Sequence, residues 1–221
     1  IPLGRIEREE ALAFGWTLSV ASVTVMGLFV NYVAAGLLAF TIFFYVVVYT
    51  LWLKRRTPQN IVIGGLSGAL PPAIGWAAVT GSLSLAPLVL VAIIFMWTPP
   101  HFWALSLYRS EDYARAGVPM LPVVKGKPST RRHILAYALL LAPLGVVPAF
   151  IGLGGILYLA VAAGCGAWLV WESIATFRET NEVREPAARR LFVASLAYVF
   201  FLFAALIAER LIGLAPFAHW I

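Results

Sequence analysis

Apolar runs follow one another through this chain with little left over. Seven of them reach the length, roughly 20 residues, that an α-helix needs to cross the hydrocarbon of a bilayer. They are expected at Ala11–Val30, Tyr32–Leu53, Ile61–Gly81, Leu85–Leu107, Ile134–Gly152, Gly154–Ile174 and Leu191–Leu211. The runs are too long for barrel strands and lack the alternation of a strand with one lipid face and one lumen face. The fold class is therefore all-α, a polytopic membrane helix bundle with the lipid bilayer as its surroundings. A composition 62% hydrophobic and 12% charged, with mean hydropathy +0.89, excludes an ordinary soluble domain. One domain over residues 1–221 is the simplest organisation.

The net charge of +6 could point to nucleic acid, but the placement of the charges argues against it. If the spans alternate in direction, one face collects Arg5, Arg8, Lys54–Arg56, the cations of 109–132 and those of 178–190, leaving only Arg210 for the other. Under the positive-inside rule these loops lie in the cytoplasm or the equivalent compartment. The chain is expected to be a multi-pass protein of the inner (plasma) membrane. The opposite connections, "VNY", "GSLS" and "GLGG", leave almost no room for structure, so chemistry is expected on the charged face. Cys165 falls inside a span and reads as packing, with no disulfide or cysteine metal site to follow from it.

Two segments combine polarity with membrane-boundary placement. In "YTLWLKRRTPQN", residues 49–60, the three cations closing a helix satisfy both its dipole and the topology rule. Tyr49, Lys54, Arg55, Thr57 and Asn60 also have the donors of a phosphate cradle, since Arg offers a planar fork and Lys a point charge. Composition leaves both readings open. In "HFWALSLYRSEDYARAGVPMLP", residues 101–122, a helix continuing past Leu107 would put Tyr108 and Asp112 on one face, with Arg109 and Arg115 beside them. His101 lies about two turns inside the span, and an intramembrane ionisable residue is a functional candidate by default. A bond to a carbonyl freed by Pro99 and Pro100 would also explain it.

Small residues in "IVIGGLSGALPPAIGW" (Gly64, Gly65, Gly68, Gly75) are expected to let backbones approach, and Pro71 and Pro72 to bend the helix, either structurally or around a cavity. Trp76, Trp97 and Trp103 read as bundle packing or cavity lining. Glu172 is expected to pair with Arg178 or to sit in the interface. His133 is expected at the solvated boundary.

The wording of both segments, "TPQNIVIGG", "PPHFWAL" and "DYARAGVPMLPVV" above all, closely resembles the protoheme farnesyltransferase (heme O synthase) branch of the UbiA-type intramembrane prenyltransferases. The resemblance runs over the whole chain and implies a nine-helix fold around a chamber open to lipid. It implies transfer of farnesyl from farnesyl diphosphate to a vinyl group of heme b, giving heme O. Asp112 would hold Mg²⁺ through Tyr108-x-x-x-Asp112, the counterpart of an acidic motif. Tyr108, Lys54 and Arg55 would act on the diphosphate, and Tyr49, Asn60, Arg109 and Arg115 would bind substrate. His101 is the candidate to meet heme, and heme A synthase or oxidase assembly factors are the implied protein partners.

The resemblance also implies two earlier helices and a first acidic loop that this chain is expected to lack. Glu7, Glu9 and Glu10 read instead as a helix start, and the segment alone is expected to be inactive. The rival readings are a UbiA-type enzyme acting on a quinone or chlorophyll precursor, and a heme-binding scaffold or transporter without activity.

Overall fold

A computed structural model describes residues 4, 6–214 and 216. Arg5, counted above on the charged face, lies outside them. Seven stretches within it are long and apolar enough to cross a membrane. They are built from α1 (Arg8–Phe29), α2 (Tyr32–Phe43) continued by a π-helix (Phe44–Leu53), α3 (Asn60–Ala69) with α4 (Pro71–Thr80), α5 (Leu85–Tyr108), α7 (Leu121–Phe150), α8 (Ile156–Phe177) and α9 (Pro186–Leu211). A short α6 (Ser110–Arg115) follows α5 at the boundary.

Local chemistry sets the ends. Glu7 donates its backbone N–H to the Glu10 carboxylate at 3.1 Å, so the acidic start of α1 does cap a helix. Asn31 accepts the Ala34 N–H at 2.9 Å to start α2, and its amide donates to the Ala77 carbonyl at 2.8 Å. The three-residue "VNY" connection thus also pins the end of α4. Gly81 stops α4 in the left-handed region at φ 70°, where a side chain would be strained. Pro71 lacks an N–H, and the third span breaks between α3 and α4 as the proline pair predicts.

Two boundaries differ from expectation. The span expected from Ile134 begins at Leu121, with non-helical φ and ψ (77°, 162°) at Gly126. From there the polar segment "KPSTRRH" is helical, because Pro128 suits a first turn and Thr130 donates its hydroxyl to the Gly126 carbonyl at 2.9 Å. The last helix likewise starts at Pro186 rather than Leu191. Charged ends of spans are read as loops when hydropathy is the guide, although their backbone still gains from staying helical.

α5 is the hub. On one side it packs with α7 and α9, which in turn hold α8, around a core that includes Trp103, Leu107, Ile134, Leu141, Tyr158 and Tyr198. On the other it meets α3 and α4, which lead out through α2 to α1, a helix with no buried residue. Large apolar side chains such as Phe29, Trp171 and Leu211 point outward, while alanines line the contacts, as lipid-facing surfaces and close helix approach require. On the face opposite the charged loops Glu209 of α9, 3% exposed, accepts N–H bonds from Gly155 at 2.6 Å and Tyr158 at 2.8 Å. It caps α8 from a neighbouring helix.

The charged face is stitched by an ion pair. Arg131 of α7 meets Glu185 at 2.8 Å, and Lys127 approaches the same carboxylate at 3.3 Å. Glu185 is fully buried and holds φ 46°, a conformation that costs a non-glycine residue about 1–2 kcal/mol. Glu172 pairs with Arg190 at 3.1 Å, not with Arg178. Glu185→Ala would strand a buried guanidinium, and a loss of roughly 3–5 kcal/mol is expected. The check is thermal unfolding in detergent, where an unchanged midpoint would mean that this pair does not close the face.

Candidate active site

A cavity of about 540 Å³ opens between α2 with its π-helix, α3 and α5. Its wall is almost wholly apolar or aromatic, and Thr41, Tyr45, Tyr49, Ser67 and Thr98 supply the hydroxyls. The backbone explains why it exists. Five-residue spacing in the π-helix widens the turn, and such segments are frequent at functional sites. Here it brings Tyr45, Val46 and Tyr49 onto the cavity wall. A Cβ on Gly64 would lie 2.2 Å from the Tyr49 ring, and one on Gly65 2.9 Å from the Thr98 methyl. The glycine pair therefore seats Tyr49 on one side and α5 on the other. Gly68 and Gly75 have nothing within 4 Å, so the close approach expected of all four glycines holds for two.

Above the cavity lies the first polar segment. The Lys54 N–H donates to the Tyr49 carbonyl at 2.8 Å, and the Asn60 amide donates to the Lys54 carbonyl at 2.9 Å. Asn60 is fully buried and shapes the turn from within, while Lys54, Arg55 and Arg56 are exposed. No carboxylate neutralises these three cations among the described residues.

The second segment is arranged differently from the expected continuous helix. α5 ends at Tyr108, because Arg109 (φ −119°, ψ 20°) leaves helical geometry, and Asp112 belongs to α6. Tyr108 and Asp112 accordingly do not share a helical face. Asp112 is gripped by Arg115 and by Arg109 at 3.3 Å, with about half of its side chain exposed. The Arg115 hydrogen bond, helped by the charges of both arginines, holds its carboxyl below the usual range. Asp112 is thus ionised at neutral pH. Burial, with Tyr108 nearby, raises the Tyr113 phenol above its usual value, and Tyr113 also lies within electrostatic reach of Tyr49. The two segments meet at one end of the bundle.

Among the described residues no group of three His, Cys, Asp or Glu side chains could cage a metal ion. One exposed, ionised carboxylate fits a different case, a Mg²⁺ ion whose other ligands are phosphate oxygens and water.

Tyr108 and His101 found partners on α9. The Arg189 guanidinium stands 4.7 Å over the Tyr108 ring, and Tyr108 meets Phe192 edge-on. His101, 7% exposed, is stacked between Trp97 at 4.3 Å and Phe192 at 4.5 Å. Its Nδ1 lies 2.8 Å from Ser195 Oγ, so it does not take a carbonyl freed by the prolines. Arg189, Phe192 and Ser195 recur every third residue, which one face of a helix allows, but their targets lie some 80–100 positions away and no local signal announces them. Trp97 lines the cavity while Trp103 is core, fully buried over His133 and Tyr137. His133 is half-buried there rather than solvated.

An apolar cavity beside a boundary turn of cations without carboxylate partners suits a substrate with a hydrocarbon body and a polyanionic head. The sequence profile of the UbiA prenyltransferase family matches residues 1–196. The chain belongs to the UbiA prenyltransferase family. It is similar to the protoheme IX farnesyltransferase of Parvibaculum lavamentivorans, 58% identical over 97% of this chain and 68% of the relative. That of Azorhizobium caulinodans is 59% identical over 96% and 69% respectively. A solved structure from work on digeranylgeranylglyceryl phosphate synthase shares the fold at TM-score 0.75 and 20% identity, covering 94% of this chain and 73% of that one. The UbiA cavity should depend on the Tyr49 seat. Gly64→Ala is expected to cost about 1–3 kcal/mol by overpacking, whereas Gly75→Ala, in open space, should be neutral or slightly stabilising. Thermal midpoints of the two variants in detergent test this; equal midpoints would reject the tight seat.

Proposed function

We propose that this UbiA prenyltransferase is a protoheme IX farnesyltransferase, moving the farnesyl group of farnesyl diphosphate onto a vinyl group of heme b to give heme O. Close similarity to proteins of that name over nearly the whole chain carries the reading. The geometry supports it through one arrangement: an apolar cavity whose polar end bears cations without carboxylate partners.

The chemistry follows from where charge develops. As the carbon–oxygen bond of farnesyl diphosphate breaks, the diphosphate leaves with the electron pair and its growing negative charge must be met. Lys54 and Arg55 face it from one segment and Arg109 and Arg115 from the other, with Tyr108 as a hydroxyl donor. Asp112 would hold a Mg²⁺ ion by one carboxylate oxygen, and the ion would supply charge neutralisation to the phosphates. Tyr49 borders the cavity that holds the hydrocarbon, and Asn60 holds the Lys54–Arg56 turn in shape. The apolar wall keeps water from the allylic carbon until the vinyl group attacks it. The vinyl π pair forms the new carbon–carbon bond, the adjacent carbon takes the hydroxyl of a water, and the released proton passes to solvent. His101 is assigned to the heme.

Residues 1–221 act as one domain in this reading. The positive-inside rule places the charged loops in the cytoplasm and the protein in the inner membrane, with heme A synthase or oxidase assembly as the consumer of its product.

Conversion of heme b to heme O, read by chromatography in membranes containing this chain joined to the remaining length of a relative such as the Parvibaculum lavamentivorans protein, tests the reaction. Asp112→Ala is expected to lower the rate at least 100-fold without loss of the folded protein, and removal of Mg²⁺ should do the same. Activity on a quinone precursor in place of heme b would overturn the acceptor, and Asp112→Ala at the native rate would overturn the metal assignment.

A further inference from the structure

Ser195 joins two side chains that the reaction above leaves in place without explanation. Its main-chain carbonyl accepts the Trp97 Nε1–H at 2.6 Å, and its hydroxyl lies 2.8 Å from His101 Nδ1. One residue of α9 therefore anchors two residues of α5 that stand one turn apart and stack on each other. The same hydroxyl is 2.7 Å from the Phe192 carbonyl.

Both contacts of the Ser195 hydroxyl are hydrogen bonds in one arrangement of protons. A carbonyl can only accept, so in that arrangement the hydroxyl hydrogen goes to Phe192. The oxygen then accepts, and His101 Nδ1 donates. A neutral imidazole protonated on Nδ1 has a bare lone pair on Nε2. Both ring faces are covered, by Trp97 and Phe192, so the ring can meet a further ligand only at an edge. The Nε2 edge has no partner among the described residues, yet it is not among the sealed polar atoms that lack one. Trp97, on which His101 stacks, lines the cavity, so the His101 ring sits directly behind that wall.

We propose that Ser195 is a positioning residue that locks His101 as its Nδ1–H tautomer and thereby presents Nε2 to the iron of the tetrapyrrole acceptor. The inference rests on heme b being that acceptor. A neutral imidazole whose second nitrogen donates to an oxygen is the usual state of an iron- or zinc-ligating histidine, because that bond fixes the ring and raises ligand basicity. Removing such a partner typically weakens metal binding about 10–100-fold. Ser195→Ala removes the hydroxyl while leaving the carbonyl that holds Trp97, so the α5–α9 contact survives. Ser195→Thr restores the hydroxyl, since threonine makes the same back-bond within a helix.

The experiment adds heme b to the protein and to His101→Ala, Ser195→Ala and Ser195→Thr in detergent, reading affinity, the Soret band and the iron–histidine stretch of the ferrous form. His101→Ala should lose the stretch. Ser195→Ala should keep it at a lower frequency and bind heme about ten-fold more weakly, and Ser195→Thr should return both to the native values. Native affinity and frequency in Ser195→Ala, with the stretch lost in His101→Ala, would overturn the role of Ser195 while leaving His101 as ligand. An unchanged stretch in His101→Ala would place the iron elsewhere and overturn the inference. Absence of heme binding by the native protein would instead remove the acceptor reading on which it rests.

Discussion

A main chain inside hydrocarbon has no water to bond, so any departure from regular helix must be covered by protein or must line a cavity. Apart from the kink at Gly126 and the prolines of α7, this chain departs from regular helix at three places in its described spans, and these three flank the same space. The π-helix begins at Phe44, the break between α3 and α4 falls at Leu70, and Pro99 and Pro100 interrupt the donors of α5. The cavity is lined from the three segments that carry them, through Tyr45 and Tyr49, through Gly64 to Gly68, and through Trp97, Thr98 and Phe102. Regular helices would pack shut at this point. The irregular ones leave room.

The glycine pair converts this looseness into a defined shape. Gly64 and Gly65 are adjacent on α3 and so face different neighbours, the π-helix through Tyr49 and α5 through Thr98. Each contact is close enough that a methyl group would displace it. The position of the Tyr49 ring, and with it the Lys54 turn hung from the Tyr49 carbonyl, is therefore set by packing inside the membrane. Charge at the boundary is placed by steric contacts below it.

Much of this was legible in the sequence because apolar length, proline pairs and cation placement are local signals. The seven spans, the bend at Pro71 and the charged face all follow from them. The helix ends were less legible where charge continues a helix, as at "KPSTRRH", since hydropathy sees a loop where the backbone stays hydrogen-bonded. Asp112 was found as a chemical group, but its geometry was not. One residue, Arg109, leaves helical geometry and moves the carboxylate to a separate helix held by Arg109 and Arg115. Partners of His101 and Tyr108 could not be read, because Ser195, Phe192 and Arg189 are joined to them by topology alone.

That topology gives the α5–α9 contact its polarity. From the boundary inward it runs through the Arg189 cation, the Tyr108 ring, Phe192, His101 and Trp97, each touching the next. Six residues of helix separate Arg189 from Ser195, an axial distance of about 9 Å. The column thus has a cation at its boundary end and an imidazole further in. Across α5 lies the apolar cavity, and Trp97 belongs to both surroundings, stacked on His101 and lining the cavity wall. One ring of α5 therefore couples the polar α5–α9 contact to the apolar space between α2, α3 and α5.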